Sequence, residues 1–243
     1  SLEIAKIILL GNEEEIKKLA EKCSLDLSTV TYIDPKKSPD IKKYGEEYYI
    51  LRRAKGMTPE KAMETIVHPL YFGSMLVKEG IAHGLVAGSA SPTADVMKAT
   101  LQIIKTAPGI KSVSSFFIMV VPGSTYGEEG VFIFSDCAVI PNPTSEQLAD
   151  MAISSAKAGK ILLDWEPKVA MLSFSTCGSA SHEMVDKVKN ALKLIKEREP
   201  GLNVDGEMQA DAALVPSVGS KKAPGSPVAG KANILIFPDL NAA

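Results

Sequence analysis

The sequence predicts an α/β protein with a mostly parallel sheet covered on both faces. Three observations lead there. Apolar runs of strand length, such as AKIILL at 5–10 and VAML at 169–172, alternate with amphipathic stretches of helix length. Capping residues mark where those helices begin, with Asn12 before EEEIKKLAEKC and Thr58 before Pro59-Glu60. Hydrophobic residues make up 45% of 243, enough for a sizeable core in one large domain or two small ones.

The elements follow in order. AKIILL is a buried strand ending at Gly11, and Asn12 caps a helix with acidic residues first and lysines later, as the helix dipole prefers. Val30–Ile33 is a short strand closed by Asp34-Pro35. Pro39 opens a helix that runs through Arg52 and Arg53, and Thr58-Pro59 starts another. His68-Pro69 interrupts it before the apolar helix LYFGSMLVKEG. Residues 84–106, GLVAGSASPTADVMKATLQIIKT, form the stretch around which the rest is organised. Leu85-Val86-Ala87 reads as a buried strand, Gly88–Ser91 as a small-residue loop, and Ser91 as the cap of a helix opened by Pro92. Pro108-Gly109 stops that helix near Ala107.

Past Gly109 the texture changes, so the boundary between a first domain (1–108) and a second (109–243) is placed there. SVSSFFIMVV at 112–121 and VFIFSDCAVI at 131–140 read as a β-hairpin around a Gly-rich turn. Thr144 caps the long helix SEQLADMAISSAKAGK. Strand VAML, the loop FSTCGSASHE, helix MVDKVKNALKLIKERE, a strand at Asn203–Glu207 and a short helix at 208–215 follow. VGSKKAPGSPVAG at 218–230 reads as a flexible loop, and Ile234–Phe237 as the last strand.

A net charge of −2 with no lysine or arginine block argues against nucleic acid or an anionic membrane as the main partner. Cys23, Cys137 and Cys177 lie far apart without metal-ligand spacing, which fits a reducing compartment. SLEIAKIILLG lacks a signal-peptide pattern, and no apolar run reaches membrane-spanning length, so a soluble cytoplasmic protein is expected.

Strand, small loop and helix start is a geometry that binds anions, because free N–H groups and the dipole point out of the helix end. Ser89, Ser91 and Thr93 add hydroxyls there, and Lys98 adds a charge. The other reading is an ordinary capped βα turn. The stretch is neither a P-loop, nor a dinucleotide fingerprint, nor a nucleophile elbow. Arg52 and Arg53 suit a phosphate, or simply a helix C-terminus that favours cations. Cys177 with His182 suggests a nucleophile and base, although a five-residue separation fixes no geometry. Asp95, Asp136, Asp211 and Asp239 suit capping and turn roles, and His68 and His83 have no metal-ligand partner. Lys221 and Lys222 suit a mobile loop beside an anionic substrate, or a solvated loop.

Six segments together resemble the phosphate acetyltransferase and phosphate butyryltransferase family, the acetyl branch more closely. They are PLYFGSMLVKEG (69–80), GLVAGSASPTADVMKATLQIIKTAPGIK (84–111), FSDCAVIPNPTSEQLADMAISSA (134–156), VAMLSFSTCGSASHEMVDKV (169–188), DGEMQADAAL (205–214) and KKAPGSPVAGKANILIFPDLNA (221–242). The resemblance implies two three-layer α/β/α domains with mostly parallel sheets and a cleft, similar to isocitrate and isopropylmalate dehydrogenases, and a homodimer. It implies acetyl transfer between coenzyme A, as a substrate, and phosphate, with acetyl-CoA and acetyl phosphate as the acyl carriers and no metal or bound cofactor. It gives Arg52 a phosphate role and places Thr93 and Lys98 in the substrate pocket, to which the anion-site reading adds Ser89 and Ser91 as substrate-binding residues. Lys98 stands where the family carries arginine, which loses the planar fork. Ser91-Pro92 replaces the usual residues ahead of the threonine.

Family members start earlier and continue after FPDLNA into a segment that supplies the catalytic aspartate, with an arginine and a serine beside it. The resemblance therefore assigns catalysis to no residue of this sequence, and it implies exposed apolar surface within 1–108. Two alternatives stay open: a non-catalytic relative that binds coenzyme A or a phosphorylated ligand, and a phosphate butyryltransferase. An oxidoreductase on the related fold would need an aspartate cluster that is not recognisable here.

Overall fold

The computed structural model describes residues 4–243, and the chain is α/β. It divides into two compact units, Ser1–Lys105 and Thr106–Ala243.

In the first unit, strands β1 (Ile8–Leu10) and β2 (Thr31–Ile33) pair in parallel, with Ile8 opposite Thr31. Helix α1 (Glu13–Lys22) is capped by Asn12, whose side chain accepts from the N–H groups of Glu14 and Glu15. Helices α2 (Ile41–Arg52), α3 (Pro59–Ile66), α4 (Pro69–Lys78) and α5 (Thr93–Ile103) complete the unit. Thr58 caps α3 through the N–H of Lys61, and His68 Nδ1 caps α4 through that of Leu70. The core gathers Tyr44, Tyr48, Ile66, Phe72, Met75 and Ile103, with Tyr44 edge-on to Phe72.

Residues 84–107 differ from the sequence expectation. Leu85-Val86-Ala87 forms no strand, and Val86 is fully exposed. A strand needs a ladder partner, and β1–β2 is the one ladder of this unit among the described residues. Ser91 does not cap α5. The cap position is Pro92, which offers no side-chain bond. The helix stops at Ile103 rather than near Ala107, because Lys105 turns left-handed at φ +69° and its N–H bonds back to Thr100.

The second unit holds a five-stranded sheet in the order β3-β4-β7-β5-β6. Strands β4 (Val131–Ser135), β7 (Ile234–Ile236), β5 (Val169–Leu172) and β6 (Val204–Met208) run parallel, and β3 (Phe117–Val120) is the antiparallel edge. Side chains alternate between faces as the pleat requires. Val169, Met171, Ile234 and Ile236 meet helices α6 (Ser145–Leu163) and α7 (Glu183–Arg198). Ala170, Leu172 and Leu235 join the core beneath α8 (Ala210–Leu214) and α9 (Pro216–Lys222). The sheet is thus the middle of three layers. A capping box, in which Thr144 and Gln147 each bond the other's backbone N–H, starts α6.

The hairpin forms, but its strands are shorter than expected. The N–H groups of Lys111 and Ser112 go to Asp150, and Ser115 goes to Asp136. The Asp136 carboxylate also gathers the N–H groups of Ala138, Val139 and Ile140, which takes them out of any ladder. The loop expected at 218–230 is in part a helix. Pro216 occupies the first turn of α9, and Gly219 packs so closely on Gly230 that a Cβ would lie 2.7 Å from its nitrogen.

Candidate functional site

Two parts of the first unit carry the strongest candidate. Arg52 ends α2, where Arg53–Lys55 form a 3-10 turn closed by Gly56 at φ +82°. The side chain is half-buried, and its Nε is enclosed with no hydrogen-bond partner among the described residues. Arg53, its neighbour, is exposed. Tyr48 lies one helical turn earlier on the same face, and its hydroxyl donates to Oε1 of Gln102 on α5. Burial, together with the neighbouring Tyr71 and against the pull of the Arg52 charge, pushes the Tyr48 phenol up to about 12. It therefore stays a donor at neutral pH.

The second part is the start of α5. No side chain caps it, and Thr93 is its first residue. An uncapped start leaves N–H groups free for an acceptor. Ser89, Thr93 and Lys98 are exposed and Ser91 is half-buried, and none of their side chains bonds within the protein among the described residues. The structure thus places Ser89, Ser91, Thr93 and Lys98 on one loop and helix, and ties that helix to α2 through Tyr48 and Gln102. Tyr48 and Gln102 were missed from the sequence. Each sits four residues from a candidate charge, at Arg52 and Lys98, and that spacing was the available signal.

Several of the remaining candidates have structural work. His182 caps α7, its Nδ1 accepting from Met184. Burial first, then the charges of Asp205 and Glu207, push the Cys177 thiol up, so it is no ready nucleophile. Asp211 pairs with Lys222 at 2.8 Å, and Asp239 accepts from the N–H groups of Asn241 and Ala242. Glu207, buried behind the 173–180 loop, accepts from Ser175 and from the N–H of Gly178. The described residues hold no group of three His, Cys, Asp or Glu fit for a metal ion, and no helix long and apolar enough to cross a membrane.

An α/β fold with exposed hydroxyls at an uncapped helix start, and an arginine whose Nε has no partner, suits an enzyme that handles an anionic group. Comparison narrows this to the acyltransferases. The chain belongs to the family described as "Phosphate acetyl/butaryl transferase", whose model matches residues 1–243. It is 57% identical over 239 residues to the phosphate acetyltransferase of Thermoanaerobacterium thermosaccharolyticum, covering 98% of this chain and 72% of that protein. Among solved structures it is similar to the EutD phosphotransacetylase from Staphylococcus aureus. The TM-score is 0.87 at 42% identity, over 98% of this chain and 71% of that one. A phosphotransacetylase from Streptococcus pyogenes gives 0.88 at 42% identity, over 97% and 70%.

Proposed function

We propose that the protein transfers an acetyl group reversibly between coenzyme A and inorganic phosphate. The observation that carries this is the 57% identity, across nearly the whole chain, to a relative named phosphate acetyltransferase. In the direction of thioester synthesis, the thiolate sulfur attacks the carbonyl carbon of acetyl phosphate. A C–S bond forms, the C–O bond to phosphorus breaks, and inorganic phosphate leaves with the electron pair. The thiol proton passes to a general base, a role we assign to no residue of this chain.

We assign the phosphoryl group to Arg52 and to the start of α5. The unpaired Nε of Arg52 supplies a fixed donor, and the N–H groups at Thr93 supply partial positive charge. Ser89, Ser91 and Thr93 offer hydroxyl donors, and Lys98 offers a point charge. Coenzyme A is a substrate rather than a resident cofactor. Three unclustered cysteines support a reducing, cytoplasmic setting. The exposed apolar edge strand β3 supports a homodimer.

The test is thioester formation by the full-length protein from acetyl phosphate and coenzyme A, with butyryl phosphate as competitor. Turnover is expected with acetyl phosphate, and Arg52→Gln is expected to raise the KM for acetyl phosphate at least tenfold, on the scale of a lost charge-assisted hydrogen bond. Coenzyme A binding without turnover would overturn the proposal in favour of a non-catalytic relative. Preference for butyryl phosphate would move it to the other branch of the family.

A further inference from the structure

We propose that Tyr48 and Gln102 are positioning residues for the phosphate site, acting through Arg52; this rests on the phosphate reading above. Tyr48 is 1% exposed and one helical turn from Arg52, so the two side chains share a face of α2. Its hydroxyl donates to Gln102 Oε1 across 54 residues of sequence. Gln102 is four residues beyond Lys98, on the helix that begins at Thr93. One hydrogen bond thus couples the helix that ends on the arginine to the helix that presents its free start.

The Tyr48 ring is itself clamped. Tyr71 meets it edge-on at 5.5 Å between centroids, and Tyr71 is met in turn by His68, the cap of α4, at 6.2 Å. The phenol holds its proton up to about 12, so the bond to Gln102 persists across the working pH range. Arg52 then projects from a fixed helix end with its Nε enclosed and unpaired. Buried donors are nearly always paired, so an enclosed donor without a partner favours an arriving acceptor. A phosphate oxygen is such an acceptor, and holding the arginine stem in advance lowers the ordering cost on binding.

The experiment is isothermal titration of the full-length protein with inorganic phosphate, alongside thermal midpoints. The variants are Tyr48→Phe, Arg52→Ala, the two combined, and Tyr48→Phe with Gln102→Leu. Tyr48→Phe is expected to weaken phosphate about fivefold, the scale of one net hydrogen bond, and to add nothing once Arg52 is Ala. The Phe/Leu pair removes the orphaned acceptor, so it recovers the thermal midpoint without recovering affinity. Multiplying effects of Tyr48→Phe and Arg52→Ala, or affinity that returns with the thermal midpoint, would overturn the positioning role. A wild-type protein that ignores phosphate, or Arg52→Ala binding it unchanged, would instead overturn the underlying phosphate reading.

Discussion

Arg198 donates from Nη1 to Oδ1 of Asp150 at 3.0 Å, while Oδ2 of the same carboxylate takes the N–H groups of Lys111 at 3.2 Å and Ser112 at 3.1 Å. The Asp150 side chain is 4% exposed. One carboxylate therefore joins α6, α7 and the segment that leads into β3. Arg198→Met leaves that carboxylate buried with its backbone donors but without its cation. We expect a loss of about 1–3 kcal/mol, read as a lower urea midpoint with an unchanged slope. The figure sits below that for a fully buried pair because Arg198 is partly exposed.

Asp136 predicts an acid response. Burial by itself raises this carboxyl. The Ser115 hydroxyl and the N–H groups of Ala138, Ile140 and Val139 outweigh it and hold the pKa below the usual carboxylate value. A group depressed on folding contributes stability above its unfolded pKa, about 3.9 for aspartate, and loses it as pH falls through the lower folded value. Asp136→Asn should flatten the acid limb of the stability curve below about pH 4 and cost roughly 1–3 kcal/mol at pH 7, since it leaves backbone donors poorly matched. Denaturation curves at several pH values would check both.

Gly230 sits at φ +72°, and a Cβ there would lie 2.6 Å from Cα of Pro216. Both the backbone conformation and the space forbid a side chain. Gly230→Ala should cost at least about 2 kcal/mol and loosen α9, visible as faster amide exchange in Pro216–Lys222.

Lys98→Arg restores a planar fork on α5. If Lys98 meets phosphate as proposed, the variant should tighten inorganic phosphate roughly threefold to tenfold, with little change for coenzyme A. Unchanged phosphate affinity would place Lys98 outside the pocket.

What could be read from the sequence was largely what local chemistry decides. Asn12, Thr58 and Thr144 begin helices because their side chains bond N–H groups two or three residues on. The apolar runs at 131–135, 169–172 and 234–236 form strands buried on one face or both. What failed was decided at a distance. Leu85-Val86-Ala87 has a strand's composition but no ladder to join. Ser112 and Ser115 sit in a β-rich run, yet spend their N–H groups on Asp150 and Asp136. VGSKKAPG has a loop's composition, but Pro216 and the close approach of Gly219 to Gly230 make its first part helical. At the candidate site, Arg52 was legible as a charge at a helix C-terminus and Lys98 as a charge on the helix that Thr93 begins. The bond between Tyr48 and Gln102 depends on how two helices pack, which no local pattern encodes.

Strand β3 has one neighbour, β4, among the described residues, and Phe117, Ile118, Met119 and Val120 are 36–64% exposed. Its outer row of N–H and C=O groups is an unfinished ladder flanked by apolar side chains, a surface prone to sticking. If a second copy covers it, folding and association share one equilibrium, and mass action sets the apparent stability. The thermal midpoint should then climb with protein concentration, and a lysine at Ile118 should lower it and abolish the climb. Solubility would follow the same law, with dilution exposing the strand and assembly concealing it.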